Sequence, residues 1–209
     1  MTNAYSVVAQ FEERVAARFG FKYGIAVDCC TSAIFLALKF RQASGFADMQ
    51  YAVMPARTYI SVPFACLDAG IEKIMFHPKP WERHRAHYRI EPWAVHDAAL
   101  YWKNPADHSS DGIGIWCLSF HVKKPIPIGR GGMILTNEFT AERWLRRARY
   151  DGREGKPYSE ETITTRGWHR YMTPEQAARG LSLMDTYPEG VDVPEEQYPD
   201  LRDMPIFAG

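Results

Sequence analysis

The sequence predicts an α/β protein whose mostly parallel sheet is flanked by helices. Two observations predict it: short apolar runs alternate with helical patterns, and several of these runs end in polar residues just before a helix. Of the 209 residues, 46% are hydrophobic and 24% are charged, which is typical of a globular protein rather than a disordered one. Equal numbers of basic and acidic residues, 25 of each, leave no overall field to attract nucleic acid or a membrane surface.

The first elements follow from apolar spacing. Four apolar residues recur at three- and four-residue steps and so share one helix face: Val8, Phe11, Val15 and Phe19. This pattern predicts a helix over 5–19, which Gly20 ends. The next run, 24–27, has the pattern of a buried strand, and a polar turn then leads into a helix over 33–40.

The same alternation continues along the chain. Further strands are predicted at 51–54, 71–76, 93–95, 114–120 and 132–136. Helices are predicted at 63–70 and 138–150, and a third begins at Thr173, where Thr173, Pro174 and Gln176 fit a capping box. We expect one domain over 1–186. The Pro-rich acidic tail, 187–209, is either a disordered end or an arm that lies on the domain or on a second subunit.

Cysteine and histidine spacing does not favour a metal site. The four cysteines lack C-x-x-C spacing, so buried thiols are expected rather than disulfides or zinc ligands: Cys29, Cys30, Cys66 and Cys117. His84 and His87 have H-x-x-H spacing, but no further ligand lies near them in the sequence. The apolar runs are too short to span a bilayer. We therefore predict a cytoplasmic protein with no metal and with neither nucleic acid nor membrane as a partner.

Three polar groups follow predicted strands, at the sheet edge where open α/β proteins bind ligands. Thr31 and Ser32 precede a helix whose N-terminus would bind a phosphate, although an ordinary helix cap explains them as well. Asp97 directly follows an apolar run. The segment 119–124 ends in two lysines, which are either a solvated pair or the source of a Schiff-base amine.

Together and in this order, these segments resemble the DegT/DnrJ/StrS family of sugar aminotransferases, pyridoxal phosphate (PLP) enzymes of fold type I. The matching motifs are Cys30-Thr31-Ser32, Pro55-Ala56-Arg57-Thr58-Tyr59, His96-Asp97-Ala98-Ala99, Ser119-Phe120-His121 with Lys124, the glycine-rich 129–137, and Met172-Thr173 with Gln176-Ala177-Ala178. The resemblance implies a reduced form of the large domain of that fold.

The resemblance also implies catalytic roles. Lys124 would hold PLP as a Schiff base and then shuttle a proton, and His121 would orient Lys124 or the cofactor. Asp97 would face the pyridine nitrogen and keep it protonated.

Other matching residues would bind the cofactor. Tyr59 would stack on its ring, and Thr31, Ser32 and Ser119 would hold its phosphate. His169 stands where the family has an Asn that reaches the neighbouring subunit's phosphate. The resemblance therefore implies a homodimer with a shared active site.

The sequence departs from the family pattern at several points. Leu100 replaces a Gln near the cofactor's phenolic oxygen, and Arg130 replaces an acid. The stretch between Phe76 and Trp93 is too short for the strand and helix of family members. We expect no counterpart of the family's C-terminal small domain after Met184.

These departures leave more than one function open. The resemblance implies an aminotransferase that moves an amino group, from glutamate, to a keto-sugar nucleotide. The alternatives are a degenerate protein that binds cofactor or sugar nucleotide without turnover, and a subunit that needs a partner chain. A basic stripe on the helix over 138–150 is either a solvated face or a contact for a nucleotide-sugar diphosphate: Arg143, Arg146, Arg147 and Arg149.

Overall fold

The computed structural model describes residues 4–78, 87–102, 114–186 and 198–207. The strands are β1 (Tyr23–Val27), β2 (Tyr51–Pro55), β3 (Lys73–His77), β4 (Tyr88–Ile90), β5 (Val95–Asp97), β6 (Ile115–Ser119) and β7 (Gly132–Thr136). The α-helices are α1 (Ser6–Arg18), α2 (Cys30–Arg41), α3 (Ser61–Asp68), α4 (Phe139–Ala148) and α5 (Pro174–Thr186). Each predicted helix and strand is confirmed with small shifts at its ends, and β4 is an addition.

The strands form one nearly continuous layer. Five of them lie in the order β1-β7-β6-β5-β4, and β2 and β3 form a separate pair. An isolated bridge connects Val53 of β2 to Glu91, the residue after β4, with N···O distances of 2.8 and 3.0 Å. The pair β2-β3 thus continues the sheet beyond β4.

The predicted mostly parallel sheet agrees with the direction of most strands, but most neighbouring strands are paired antiparallel. Two pairs are parallel, β5/β6 and β2/β3, whereas β1/β7, β6/β7 and β4/β5 are antiparallel. Because β4 and β7 each run against both neighbours, the other five strands point the same way. The connection between β4 and β5 spans 91–94, too short for the crossover that a parallel pair needs.

Strand β4 corrects one expectation. The stretch between Phe76 and Trp93 does contain a strand, which a short chain can supply because it runs antiparallel to β5. Ile90 of this strand is buried in the core. Residues 79–86 lie outside the described part of the chain.

The central strands are buried on both faces. Ile25 and Val27 of β1 pack with α2, α3 and α4, whereas Ala26 between them packs with α1 and α5. Side chains of β6 and β7 alternate between the same two clusters. Burial on both faces explains why these strands appear in the sequence as continuous apolar runs.

A buried carboxylate ties three elements together. Glu12 of α1 is 2% exposed and accepts a hydrogen bond from the Ala26 amide of β1 at 2.8 Å. Arg146 of α4 and Arg149 just beyond it donate to the same carboxylate. The prediction of a solvated basic face is therefore incomplete for these two arginines, because both are partly buried and pair with an acid that is distant in the sequence.

The last part of the described chain contains helix α5 and the C-terminal segment. The capping box of α5 is confirmed, since the Thr173 amide donates to Gln176 Oε1 at 2.9 Å and the Gln176 amide to Thr173 Oγ1 at 3.4 Å. Of the predicted tail, residues 198–207 lie against the domain, where the buried Leu201 donates its amide hydrogen to Ala56 O at 2.9 Å. Residues 187–197 are outside the described ranges.

No helix in the described part of the chain is long and apolar enough to cross a bilayer.

Candidate functional site

A cavity of about 310 Å³ opens where β5 and β6 end and α2 begins. This volume is at the lower end of the range for small-molecule sites, about 300–1,000 Å³. Six of the sequence-predicted site residues line it: Thr31, Tyr59, Asp97, Ser119, His121 and Lys124. Four of them lie at or just beyond the ends of β5 and β6, whose shared direction presents their carboxyl ends at one edge of the sheet.

Asp97 is the last residue of β5 and is 8% exposed. Its Oδ2 accepts a hydrogen bond from the Tyr88 phenol at 2.8 Å, and its Oδ1 accepts one from the Ala99 amide at 3.0 Å. Burial raises the pKa of Asp97, and the hydrogen bonds from Tyr88 and Ala99 and the charge of Lys124 offset part of that rise. The carboxyl group is therefore held in place by donors that favour its ionised form.

Lys124 lies in the turn that follows β6. Its amide donates to His121 O at 2.8 Å, and the Lys123 amide lies 3.4 Å from His121 Nδ1. Burial raises the pKa of the Cys30 thiol well above its usual value, Asp97 raises it further, and the charge of Lys124 opposes both. The charge of Lys124 thus acts on two groups of the cavity wall, Cys30 and Asp97.

The N-terminus of α2 forms another wall. Cys29 caps the helix, with its Sγ accepting from the Ser32 amide at 3.4 Å. A Cβ on Gly132 of β7 would lie 2.5 Å from the Cys29 carbonyl carbon, so glycine is required for this close approach. Thr31 Oγ1 lies 2.9 Å from Ser61 Oγ, and both residues line the cavity. Sequence reasoning missed Ser61, which is contributed by α3 and has no motif of its own.

Ser32 lies outside the cavity lining. It is fully buried, and its hydroxyl accepts a hydrogen bond from Arg170 Nη1 at 2.9 Å. Successive helical residues point about 100° apart, which places the Thr31 side chain on the cavity wall and the Ser32 side chain in the interior. The predicted contact of Ser32 with a cofactor phosphate stays a prediction.

The cysteine prediction needs a partial correction. Cys66 and Cys117 are buried, as predicted, and burial raises the pKa of Cys66 to about 12. Cys29 and Cys30 are instead partly exposed and line the cavity. Their position in the turn before α2 explains the difference, since that turn forms the cavity wall.

An aromatic pair forms the rim. Tyr59 is 56% exposed, and its ring centroid lies 5.9 Å from that of Tyr198. The guanidinium of Arg57 donates to Tyr198 O at 3.2 Å, which ties the C-terminal segment to this rim. Tyr198 was not predicted, because nothing local in the sequence indicates that the chain returns here.

Two departures from the family pattern also line the cavity. Leu100 presents an apolar side chain, and Arg130 forms an ion pair with Asp28 at 2.8 Å. His169 is placed elsewhere: its side chain is 70% exposed and lies 2.8 Å from Asp151 Oδ2. Its predicted contact with a neighbouring subunit stays a prediction.

Metal ligands do not gather in the described ranges, where no group of three or more His, Cys, Asp or Glu side chains could hold an ion. His87 Nδ1 lies 3.4 Å from His96 Nδ1, away from the cavity lining. His84 is outside the described residues.

Comparison with known proteins agrees with this fold. The model of the DegT/DnrJ/EryC1/StrS aminotransferase family matches residues 1–98 and 107–199, and the chain belongs to this family. No curated protein matches the sequence.

Solved structures share the fold at low identity. AtS13 from Actinomadura melliaura is 20% identical, with a TM-score of 0.70 over 86% of this chain and 60% of its own. PseC from Helicobacter pylori, an aminotransferase involved in pseudoaminic acid biosynthesis, is 18% identical with a TM-score of 0.71 over 86% and 57%. Spr1654 from Streptococcus pneumoniae in its PLP form is 17% identical, with a TM-score of 0.67 over 87% of this chain and 59% of its own. The chain thus spans less than two thirds of the length of these proteins, and the predicted aminotransferase fold is confirmed.

Proposed function

We propose that this chain is a PLP-dependent aminotransferase that moves an amino group from glutamate to a keto-sugar nucleotide. The observation that carries the proposal is the presence of a buried carboxylate, Asp97, and an amine that interacts with it, Lys124, in one cavity. Membership of the aminotransferase family supports the reaction class. The sugar substrate rests on what the family's members do.

The residues of the cavity fit PLP. The cofactor carries a basic ring nitrogen, a carbonyl carbon and a phosphate, and the cavity offers a partner for each. Asp97 would face the ring nitrogen, and Lys124 the carbonyl carbon. The backbone amides at the start of α2 and the hydroxyls of Thr31, Ser61 and Ser119 would hold the phosphate.

The chemistry divides between the cofactor and the chain. When bound, PLP supplies an electron sink for the charge that develops at the amino donor's α carbon. Lys124 Nζ would link the cofactor to the chain and, once displaced, move a proton between that carbon and the cofactor's C4′. Asp97 would hold a proton at the ring nitrogen, because a carboxylate beside it favours the charged form.

Other residues would orient and shield the site. His121 precedes Lys124 in the same turn and would restrict where its amine points. Tyr59 would cover one ring face, and Tyr198 beside it would exclude water from the rim. We also propose a homodimer in which the exposed His169 reaches the partner's cofactor.

A half-reaction tests the proposal. Purified protein is loaded with PLP and mixed with glutamate, and 2-oxoglutarate formation is measured per chain. We expect about one equivalent from the wild type and from Lys123→Ala, the matched control, and none from Lys124→Ala. Release of 2-oxoglutarate by Lys124→Ala at the wild-type rate would contradict the assignment. Wild-type protein that retains PLP without forming 2-oxoglutarate would instead support the degenerate binding protein.

A further inference from the structure

Tyr88 is fixed beside Asp97 by strand pairing. The two residues are direct neighbours in the antiparallel register of β4 and β5. Opposite residues of an antiparallel pair project to the same face, about 4.5–5.5 Å apart at Cβ. The phenol oxygen lies 2.8 Å from Asp97 Oδ2. This contact therefore follows from the backbone of a strand that was not expected in this stretch.

The hydrogen bonds around Tyr88 have a single consistent direction. An ionised carboxylate can accept but not donate, so the Tyr88 hydroxyl donates to Asp97. The Thr58 hydroxyl is also within hydrogen-bond distance of the Tyr88 oxygen, and Thr58 is buried. Since the Tyr88 proton is already used, Thr58 donates to Tyr88. A chain of donors, Thr58 to Tyr88 to Asp97, ends on the carboxylate.

We propose that Tyr88 is a positioning residue, which keeps Asp97 ionised and oriented for the ring nitrogen of PLP. The proposal rests on the function proposed above. With Oδ2 bonded to Tyr88 and Oδ1 to the Ala99 amide, the carboxylate plane is fixed from both sides. A carboxylate has further lone pairs, which would accept a hydrogen bond from a cationic ring nitrogen.

The surroundings of Asp97 explain why such a donor is needed. The carboxylate is buried next to the thiols of Cys30 and Cys117, with Lys124 as the cation that acts on it. Burial opposes ionisation, and the Tyr88 hydrogen bond favours it. Loss of the phenol hydroxyl would therefore let Asp97 take up a proton at higher pH.

The test is the pH dependence of PLP affinity, measured by spectroscopic titration of the purified protein between pH 5 and 9. In the wild type, affinity falls on the acid side as Asp97 loses its charge. In Tyr88→Phe, which keeps the ring, we expect this fall to begin about one to two pH units higher, because the carboxylate loses a hydrogen bond that favours its charged form. Thr58→Val, which removes the donor to Tyr88, should shift the profile in the same direction by less. Tyr101→Phe is the matched control, a buried tyrosine outside the cavity lining.

The outcomes separate this proposal from the proposed function. An acid-side shift in Tyr88→Phe, absent in Tyr101→Phe, supports the positioning role. Affinity that falls equally at every pH, or does not change, overturns it, because a purely structural role would not depend on the charge of Asp97. If Tyr88→Phe does not fold, Thr58→Val decides in the same way. A wild type that binds no PLP at any pH overturns the proposed function and this proposal together.

Discussion

Asp97 is a residue that suits the candidate site but lowers the stability of the folded protein. Burial raises the pKa of this carboxyl, and the donors around it recover only part of the cost of ionising it. A cofactor with a cationic ring nitrogen would remove the remaining cost. Without a cofactor, the ionised Asp97 destabilises the folded state.

This imbalance gives a prediction for Asp97→Asn in the cofactor-free protein. The folded-state pKa of Asp97 is raised, so the folded state binds this proton more tightly than the unfolded chain. The wild type therefore loses stability as pH rises from about 4 through the raised pKa. We expect the Tm of Asp97→Asn relative to wild type to increase with pH over this window, as measured by thermal unfolding at several pH values.

The matched control is Asp48→Asn at an exposed position. Its Tm difference from wild type should stay nearly constant with pH. A pH-independent Tm difference for Asp97→Asn would contradict the raised pKa of Asp97.

In the enzyme loaded with cofactor, Asp97→Asn should lower the rate of amino transfer by about 10²–10⁴-fold, the usual range for loss of a group that moves or holds a proton.

At the scale of elements, Glu12 fastens α1 to β1 and to the end of α4. Burial alone would raise the pKa of Glu12, but Arg149, Arg146 and the Ala26 amide lower it below its ordinary value. The link is therefore a charge-assisted network around a buried carboxylate rather than a surface ion pair. Removing one member of such a network leaves buried partners unpaired.

We expect Glu12→Gln to lower the free energy of unfolding by about 3–5 kcal/mol at pH 7, measured by denaturant titration. Because the folded-state pKa is lowered, the stabilisation is fully present above about pH 4.5 and is lost as pH falls through the folded value. The gap between variant and wild type should thus narrow in acid. Glu13→Gln, on the exposed side of the same helix, is the control and should change stability little. A Glu12→Gln protein as stable as this control would refute the role of the network.

Local signals explain which elements were predictable from the sequence. The capping box at Thr173 and the apolar spacing of α1 depend on residues within one or two turns, so both were predicted. Strand β4 was not, because it has three residues and a single buried side chain. Its direction and register depend on pairing with β5, which no local pattern encodes. Arg146 and Arg149 had the pattern of a solvated face because their partner, Glu12, lies far away in sequence.

The residues of the candidate site also fall into those that local motifs predicted and those that only tertiary packing brings to the cavity. Asp97 and Lys124 lie at strand ends with family-like motifs, and the structure brings both to the cavity. Ser61, Tyr88 and Tyr198 reach the same cavity through tertiary packing. Ser32 was assigned with Thr31, although the turn of the helix points its side chain into the interior.

At the scale of the whole molecule, the C-terminal segment closes one side of the cavity. Leu201 of this segment is buried against the domain, and Phe207 of the segment packs against Phe76 with ring centroids 5.2 Å apart. Tyr198 at the other end of the segment lines the cavity. Docking of this segment and retention of a cofactor should therefore be coupled.

Leu201→Ala tests that coupling. Loss of its buried side chain should cost about 2–5 kcal/mol of packing, which we expect to release the segment. Limited proteolysis should then cut within it faster than in the wild type, and PLP should dissociate faster. Ile206→Ala, at an exposed position of the same segment, should behave like the wild type. Faster proteolysis with unchanged PLP release would show that the segment does not shield the site.

The most direct test of the central claim is to identify the residue that holds the cofactor. Protein incubated with PLP is reduced with borohydride, digested, and mapped by mass spectrometry. We predict one equivalent of reduced cofactor on Lys124, unchanged in Lys123→Ala and absent in Lys124→Ala. Cofactor found on Lys123, spread over surface lysines, or absent from the wild type would contradict the assignment of this cavity as a PLP site.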